Sequence, residues 1–302
     1  MAKRIFVLLI GNKEQGDINH FQLLEEETVT SEGRRLGIDV EVVFAPGIDQ
    51  LRALRGRLLD TSAPAVDAVV TEPANTTTMD FALRELKGKA SLVIMHAWGP
   101  SIEQAAGDWG AGLALGCVST NHTLVGEIQA RQVRAILPSG GRILDVSGPA
   151  RSSAAQQRLE SLRAGLGSGI EMAEIAAGRW TEPDGIVAFN DWYRVAKAMN
   201  PVVQIVAGGN DELALGARRA SEALTNHQHR QALHEAKFLG VDACPRFGQK
   251  LVADGTLAAS VVTPANTGLA LAHLKRFWED GTPVPLRSFT EASAWPPASV
   301  DR

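Results

Sequence analysis

The chain has 302 residues, 45% of them apolar, and a net charge of −4 with both signs spread along it. That length suits two hydrophobic cores better than one. No long basic run or basic–aromatic cluster occurs, so nucleic acid is not an expected partner, and no apolar stretch is long enough to enter and cross a bilayer.

The first apolar run, residues 4–10, reads as a buried strand. Met1-Ala2-Lys3-Arg4 ahead of it imitates a signal peptide. Its apolar core is too short, however, no small-residue cleavage site follows, and polar Gly11-Asn12-Lys13-Glu14 comes at once. The expectation is a cytoplasmic protein, or else a mature or trimmed form. Short β-branched runs at 40–44, 68–71 and 92–95 alternate with helical patterns at 21–36, 49–59 and 79–86. Such alternation predicts parallel sheets with crossover helices, the strands being covered on both faces. Residues 99–115 are rich in glycine and small side chains without a period, and the first passage between lobes is expected just after them.

The rhythm then restarts. Strands are expected at 116–119, 142–146, 171–176, 202–207, 238–241 and 259–262. Helices are expected at 124–137, 154–164, 186–199, 212–224, 247–254 and 268–279. A last strand covers 284–289, and the Pro-rich tail around Trp295-Pro296-Pro297 reads as irregular. The two halves look like two copies of one α/β plan.

Motifs for covalent or cofactor chemistry fail on spacing. Gly11-Asn12-Lys13 after the first strand is not a dinucleotide loop, and Gly165-Leu-Gly-Ser-Gly169 reads as a loop before a strand. Neither a phosphate-binding loop ending in Gly-Lys-Ser/Thr nor a Gly-x-Ser-x-Gly elbow is present. His227, His229 and His234 sit in what reads as a polar connector, without a carboxylate or cysteine at ligand spacing. Cys117 and Cys244 are too far apart in sequence for a knuckle and read as small semi-buried residues. Glu25-Glu26-Glu27 reads as helix surface charge. No cofactor, no metal and no catalytic residue is expected.

Polar and aromatic residues instead collect where the expected strands end, which is where open α/β sheets bind ligands. Asn12 and Asn19-His20-Phe21-Gln22 follow the first strand, Glu72 and Asn75 the third, and His96 and Trp98 the fourth. In the second half come Asn121-His122, Arg158, Trp180, Asn210-Asp211 and Asp242. Asn, Asp and Arg suit vicinal hydroxyls, and Trp suits the C–H face of a sugar ring. Each also has a plainer role. Asn19 and Asp211 would cap helices, Arg158 would be a surface helix residue, and Trp98 and Trp180 would be packing.

The stretch Ile205-Val-Ala-Gly-Gly-Asn-Asp-Glu-Leu-Ala-Leu-Gly-Ala-Arg-Arg-Ala220 resembles the Asn-Asp-x-Met-Ala-x-Gly-Ala signature of type I periplasmic binding proteins. These include ribose- and galactose-binding proteins, and the effector domains of lactose-repressor-like regulators are related. Asn19-His20-Phe21, Asn121-His-Thr-Leu-Val-Gly126, Arg158-Leu-Glu-Ser161, Leu239-Gly-Val-Asp242 and Asp254-Gly-Thr-Leu-Ala-Ala-Ser-Val-Val-Thr263 are similar to further family motifs, in order. The resemblance implies two doubly wound parallel-sheet lobes joined by a three-strand hinge, residues 1–119 with 264–286 and residues 120–263 with 287–302. It implies non-catalytic binding of a small polar ligand, a monosaccharide or related polyol, with hinge closure. The first lobe would offer Asn12, Phe21, Gln22, Asn75 and His96. The second would offer His122, Arg158, Asn210 and Asp242, with Trp180 stacking on the sugar. The implied role is the solute-binding component of an ABC-type importer. A cytoplasmic ligand sensor and an α/β enzyme acting on a sugar or nucleotide are the alternatives, and a membrane transporter or sensor protein is the implied partner. Thr263, Asn121, His122, His20 and Ser161 depart from the family pattern, so the sugar itself does not carry over.

Overall fold

A computed structural model describes residues 2–199 and 202–300. Strand β1 (Arg4–Leu9) is followed by α1 (His20–Leu36), β2 (Asp39–Phe44), α2 (Asp49–Leu59), β3 (Ala68–Thr71) and α3 (Thr76–Leu86). Next come β4 (Ser91–Met95), the short α4 (Pro100–Ala106) inside the segment without a period, and β5 (Leu115–Thr120). The chain continues through α5 (His122–Ile136), β6 (Gly141–Ser147), α6 (Ser153–Gly165), β7 (Ile170–Ala176) and α7 (Glu182–Ala196). Then follow β8 (Ile205–Gly208), α8 (Asp211–Glu222), α9 (His227–His234), β9 (Lys237–Leu239), α10 (Gly248–Ala253) and β10 (Ser260–Val262). Helix α11 (Asn266–Asp280), β11 (Ser288–Thr290) and β12 (Ser293–Trp295) complete it.

The chain divides into two compact units, Met1–Thr120 with Pro264–Thr290 and Asn121–Thr263 with Glu291–Arg302. The first unit therefore reaches Thr290, past the sequence boundary at 286, because β11 pairs in parallel with β5. The outermost positions of the expected lobes, 1 and 301–302, lie outside the described residues, as do residues 200 and 201 in the second lobe.

The first unit is a six-stranded parallel sheet in the order β11-β5-β4-β3-β1-β2. Alternation along β1 serves both faces. Phe6 and Leu8 pack with Leu54, Met79 and Ile102 of α2, α3 and α4, while Ile5, Val7 and Leu9 pack with Val29 of α1 and Leu271 of α11. The second unit has a parallel sheet in the order β7-β6-β8-β9, with β10 and β12 paired antiparallel beside it. Leu144, Val146 and Val206 face Phe189 of α7 and Leu213 of α8, while Ile143 and Ile205 face Val133 of α5 and Leu162 of α6. Both units are thus doubly wound α/β layers.

Two local expectations give way. The connector holding His227, His229 and His234 is helix α9, started by Asn226, whose side chain accepts from the His229 N–H at 3.1 Å. The tail around Trp295 contributes β12, whose Ala294 packs against Val125 and Val261. Both were hidden because polar composition at a cap and proline at a strand end read as loop.

Candidate functional site

In a parallel sheet all strand C-termini lie on one edge, and the chain opens a crevice where the strand order reverses. In the first unit the reversal falls between β1 and β3, and in the second between β6 and β8. Asn12, Asn75 and Asn210 come after β1, β3 and β8, while His96, His122, Trp180 and Asp242 come after β4, β5, β7 and β9.

In the first unit Asn12 caps a short 3-10 turn, Lys13–Gln15, accepting from the Glu14 N–H at 2.9 Å. Asn19 and Gln22 form a reciprocal capping box at the start of α1, and Gln22 Nε2 also donates to the Ile10 carbonyl at 2.7 Å. Asn75 caps α3 by accepting from the Thr78 N–H at 3.0 Å. The Phe21 ring meets His96 edge-on, with centroids 6.1 Å apart. Asn75 is held in its cap and makes no described contact with the other four.

His96 has a left-handed backbone, φ 57°. Strained non-glycine residues of this kind concentrate at functional sites. Its Nε2 lies 3.1 Å from Asn266 Nδ2 and 3.9 Å from Glu25 Oε1. Glu25 is not helix surface charge: it is 1% exposed and accepts from the Asn266 and Thr267 N–H groups at 2.9 and 2.7 Å and from Asn266 Nδ2 at 3.0 Å. Burial raises this carboxyl, but His96 and the two backbone donors outweigh it and hold it below the ordinary carboxylate range. A signal was present. Glu25 stands in phase with Val29 and Gly33, the other buried residues of α1, at i, i+4 and i+8.

The second unit brings its five residues into one connected group. Asn121 caps α5, accepting from the Leu124 N–H at 3.1 Å, and this buries the neighbouring His122. The Arg158 side chain, only 11% exposed rather than a surface residue, donates from Nε to His122 Nδ1 at 3.2 Å and from Nη1 to the Gly209 carbonyl at 2.6 Å. Its Nη2 lies 3.7 Å from Asp242 Oδ1, and the guanidinium carbon lies 5.4 Å from the centre of the Trp180 ring. Burial lowers the guanidinium from its ordinary value, opposed by Asp242 and Asp211. Asn210 caps α8 through Leu213 N–H at 2.9 Å and donates to the Trp180 carbonyl at 3.0 Å, fixing the tryptophan's backbone. Asp242 and Ala243 carry left-handed φ angles of 97° and 42°, and Thr263 Oγ1 donates to Asp242 at 3.1 Å.

The Trp180 ring reaches this group because Gly148 and Gly209 leave it room. A methyl on Gly148 would overlap the ring outright, and one on Gly209 would sit 3.2 Å from it. Asp211 is not the cap of α8. It is buried, accepting from Ala243 N–H at 2.8 Å and Ser260 Oγ at 2.6 Å. Burial, then Asp242, push its carboxyl well above the ordinary value.

Among the described residues no group of three His, Cys, Asp or Glu could hold a metal, and no helix is long and apolar enough to cross a membrane. Both cysteines are buried and free.

A family model described as a periplasmic binding protein domain matches residues 15–271. The ribose import binding protein of Escherichia coli (strain K12) is 28% identical over 144 residues, which are 48% of this chain and 45% of that protein, and its Salmonella typhimurium counterpart is 27% identical over the same length. These alignments thus span about half the length of the curated relatives. Among solved structures, the periplasmic solute-binding protein of an ABC transporter from Actinobacillus succinogenes 130z, with bound D-allose, superposes with a TM-score of 0.77 at 14% identity, covering 99% of each chain. The arabinose-transporter binding protein from Shewanella sp. ANA-3 gives 0.77 at 17% identity, covering 99% of this chain and 94% of that one. The myo-inositol binding protein of Caulobacter gives 0.74 at 16% identity, covering 96% and 92%. The chain belongs to the type I periplasmic binding protein family.

Proposed function

We propose that the protein binds a small polar ligand, a monosaccharide or related polyol, without turning it over, and that its two units close on that ligand. The observation that carries this reading is the group around Arg158. A largely buried guanidinium is oriented by His122, the Gly209 carbonyl and Asp242 beside an aromatic ring, at the sheet's switch point. Arginine and carboxylate set side by side suit adjacent hydroxyls, and the indole suits a sugar's C–H face. The relatives named for ribose, allose, arabinose and myo-inositol support the same ligand class. Asn12, Phe21 and His96 would serve from the first unit, with Gln22 and Asn75 acting through the starts of α1 and α3. Ligand contacts made only in the closed form would shift the population towards it.

Delivery to an ABC-type importer is the system-level role we favour, because the matched structures are named as parts of such transporters. The test is a thermal shift of the whole chain across monosaccharides, polyols and sugar acids. A ligand at about one hundred times its dissociation constant stabilises a binder by roughly 2.7 kcal/mol. The Trp180→Ala variant should remain folded and lose at least about tenfold in affinity, the ring supplying on the order of 1.5 kcal/mol or more. A panel without any shift, or a Trp180→Ala variant that binds as the parent does, sinks the reading.

A further inference from the structure

The first unit carries a carboxyl at its switch point that the capping network does not use. Glu72 directly follows β3, and its backbone is fixed from both sides: its N–H donates to the Leu8 carbonyl at 2.9 Å, and its carbonyl accepts from Gln50 Nε2 at 2.7 Å. Gln50 is itself buried and accepts from the Ala74 N–H at 2.8 Å, so the turn into α3 is rigid. The half-buried Glu72 carboxyl lies near Ile10, just past β1, and His96 and Glu25 act on it electrostatically. It therefore sits over the β1–β3 reversal, the position that open α/β sheets use for ligands.

A second observation lies beside it. Asn266 is fully buried, its amide nitrogen spent on Glu25 and His96, and its Oδ1 has no hydrogen-bond partner among the described residues. Buried polar atoms without partners are rare in a finished core.

We propose that Glu72 reads the ligand in the first unit, favouring one that presents an ammonium or hydrogen-bond donor there and turning away anionic sugars. This rests on the ligand-binding reading above. Burial opposes charge on Glu72; His96 favours the charge less strongly, and the ionised Glu25 adds to the opposition. A cationic or donating group would relieve that opposition, and a carboxylate or phosphate would add to it.

The test is calorimetric titration of the whole chain with D-glucose, D-ribose and myo-inositol, with 2-amino-2-deoxyglucose and 6-amino-6-deoxyglucose, and with glucuronate and gluconate. Parent, Glu72→Gln and Trp180→Ala are compared. The expected result is that neutral or amino probes bind the parent at least about tenfold more tightly than the acids, and that Glu72→Gln narrows this gap by about tenfold or more. An acid as the tightest probe, or a folded Glu72→Gln variant with unchanged ratios while Trp180→Ala abolishes binding, overturns the role of Glu72 alone. If no probe binds the parent, the ligand reading itself falls, and this inference with it.

Discussion

Asp145 lies in the middle of β6, opposite Ala207 on one side and Glu174 on the other. Alternation along the strand puts it on the same face as Ile143, over the apolar layer formed with α5 and α6. It is 2% exposed and its Oδ2 has no hydrogen-bond partner among the described residues. Burial, reinforced by Glu174 and opposed by Ser147 and Arg163, pushes this carboxyl from 3.8 to about 7. The folded chain thus keeps a proton that the unfolded chain releases. The penalty is absent below the unfolded value, grows as pH rises from there, and is complete above about 7, where it approaches about 4 kcal/mol. Asp145→Asn removes the titration while leaving a buried amide whose unmet donors cost on the order of 1 to 3 kcal/mol. Chemical denaturation of both proteins across pH isolates the group. Between about pH 5 and about pH 8.5 the variant should gain roughly 2.5 kcal/mol relative to the parent. A difference between the two proteins that stays constant over that range would refute the placement of Asp145 as a buried, proton-holding carboxyl.

Three further substitutions test the packing. Glu25→Ala strands two backbone donors and the Asn266 amide at the start of α11, and should cost roughly 3 kcal/mol or more in denaturant unfolding. Because the folded Glu25 carboxyl lies below its ordinary value, its contribution is present above that value and fades as pH falls through the folded one, so parent and Glu25→Ala should converge in acid. A methyl on Gly126 would meet the Arg158 carbonyl and come within 2.7 Å of Ser161 Cβ, so Gly126→Ala should cost about 1 to 3 kcal/mol and weaken ligand binding by shifting the turn that carries Arg158. Gly56→Ala on α2, where the new methyl meets nothing within 4 Å, should instead raise the melting temperature slightly, by about 0.5 to 1 kcal/mol of stability.

The repeated strand–helix rhythm was legible in the sequence because each strand is short, β-branched and covered on both faces, and each crossover helix keeps its own period. Of the helix starts, the cap at Asn19 was legible, whereas α8 is capped by Asn210 and not by the neighbouring Asp211, and the caps at Asn75 and Asn121 were not read from the sequence. Strand ends mark out candidate residues by topology, which is why His122, Trp180, Asn210 and Asp242 could be singled out before their contacts were known, while Arg158, inside α6, stood out by its resemblance to a family motif. What the sequence could not supply is which of those groups are spent on the protein itself. Gln22 and Asn75 are consumed by caps and Asp211 by a strand junction, whereas Arg158 is desolvated and aimed by three partners. Glu25 and Glu72 show the same limit. Both are glutamates in polar surroundings, yet one anchors α11 and the other overhangs a switch point. Composition records only the residue type, while burial and hydrogen-bond partners, set by residues some 240 positions away in the case of Glu25, decide what the carboxylate does.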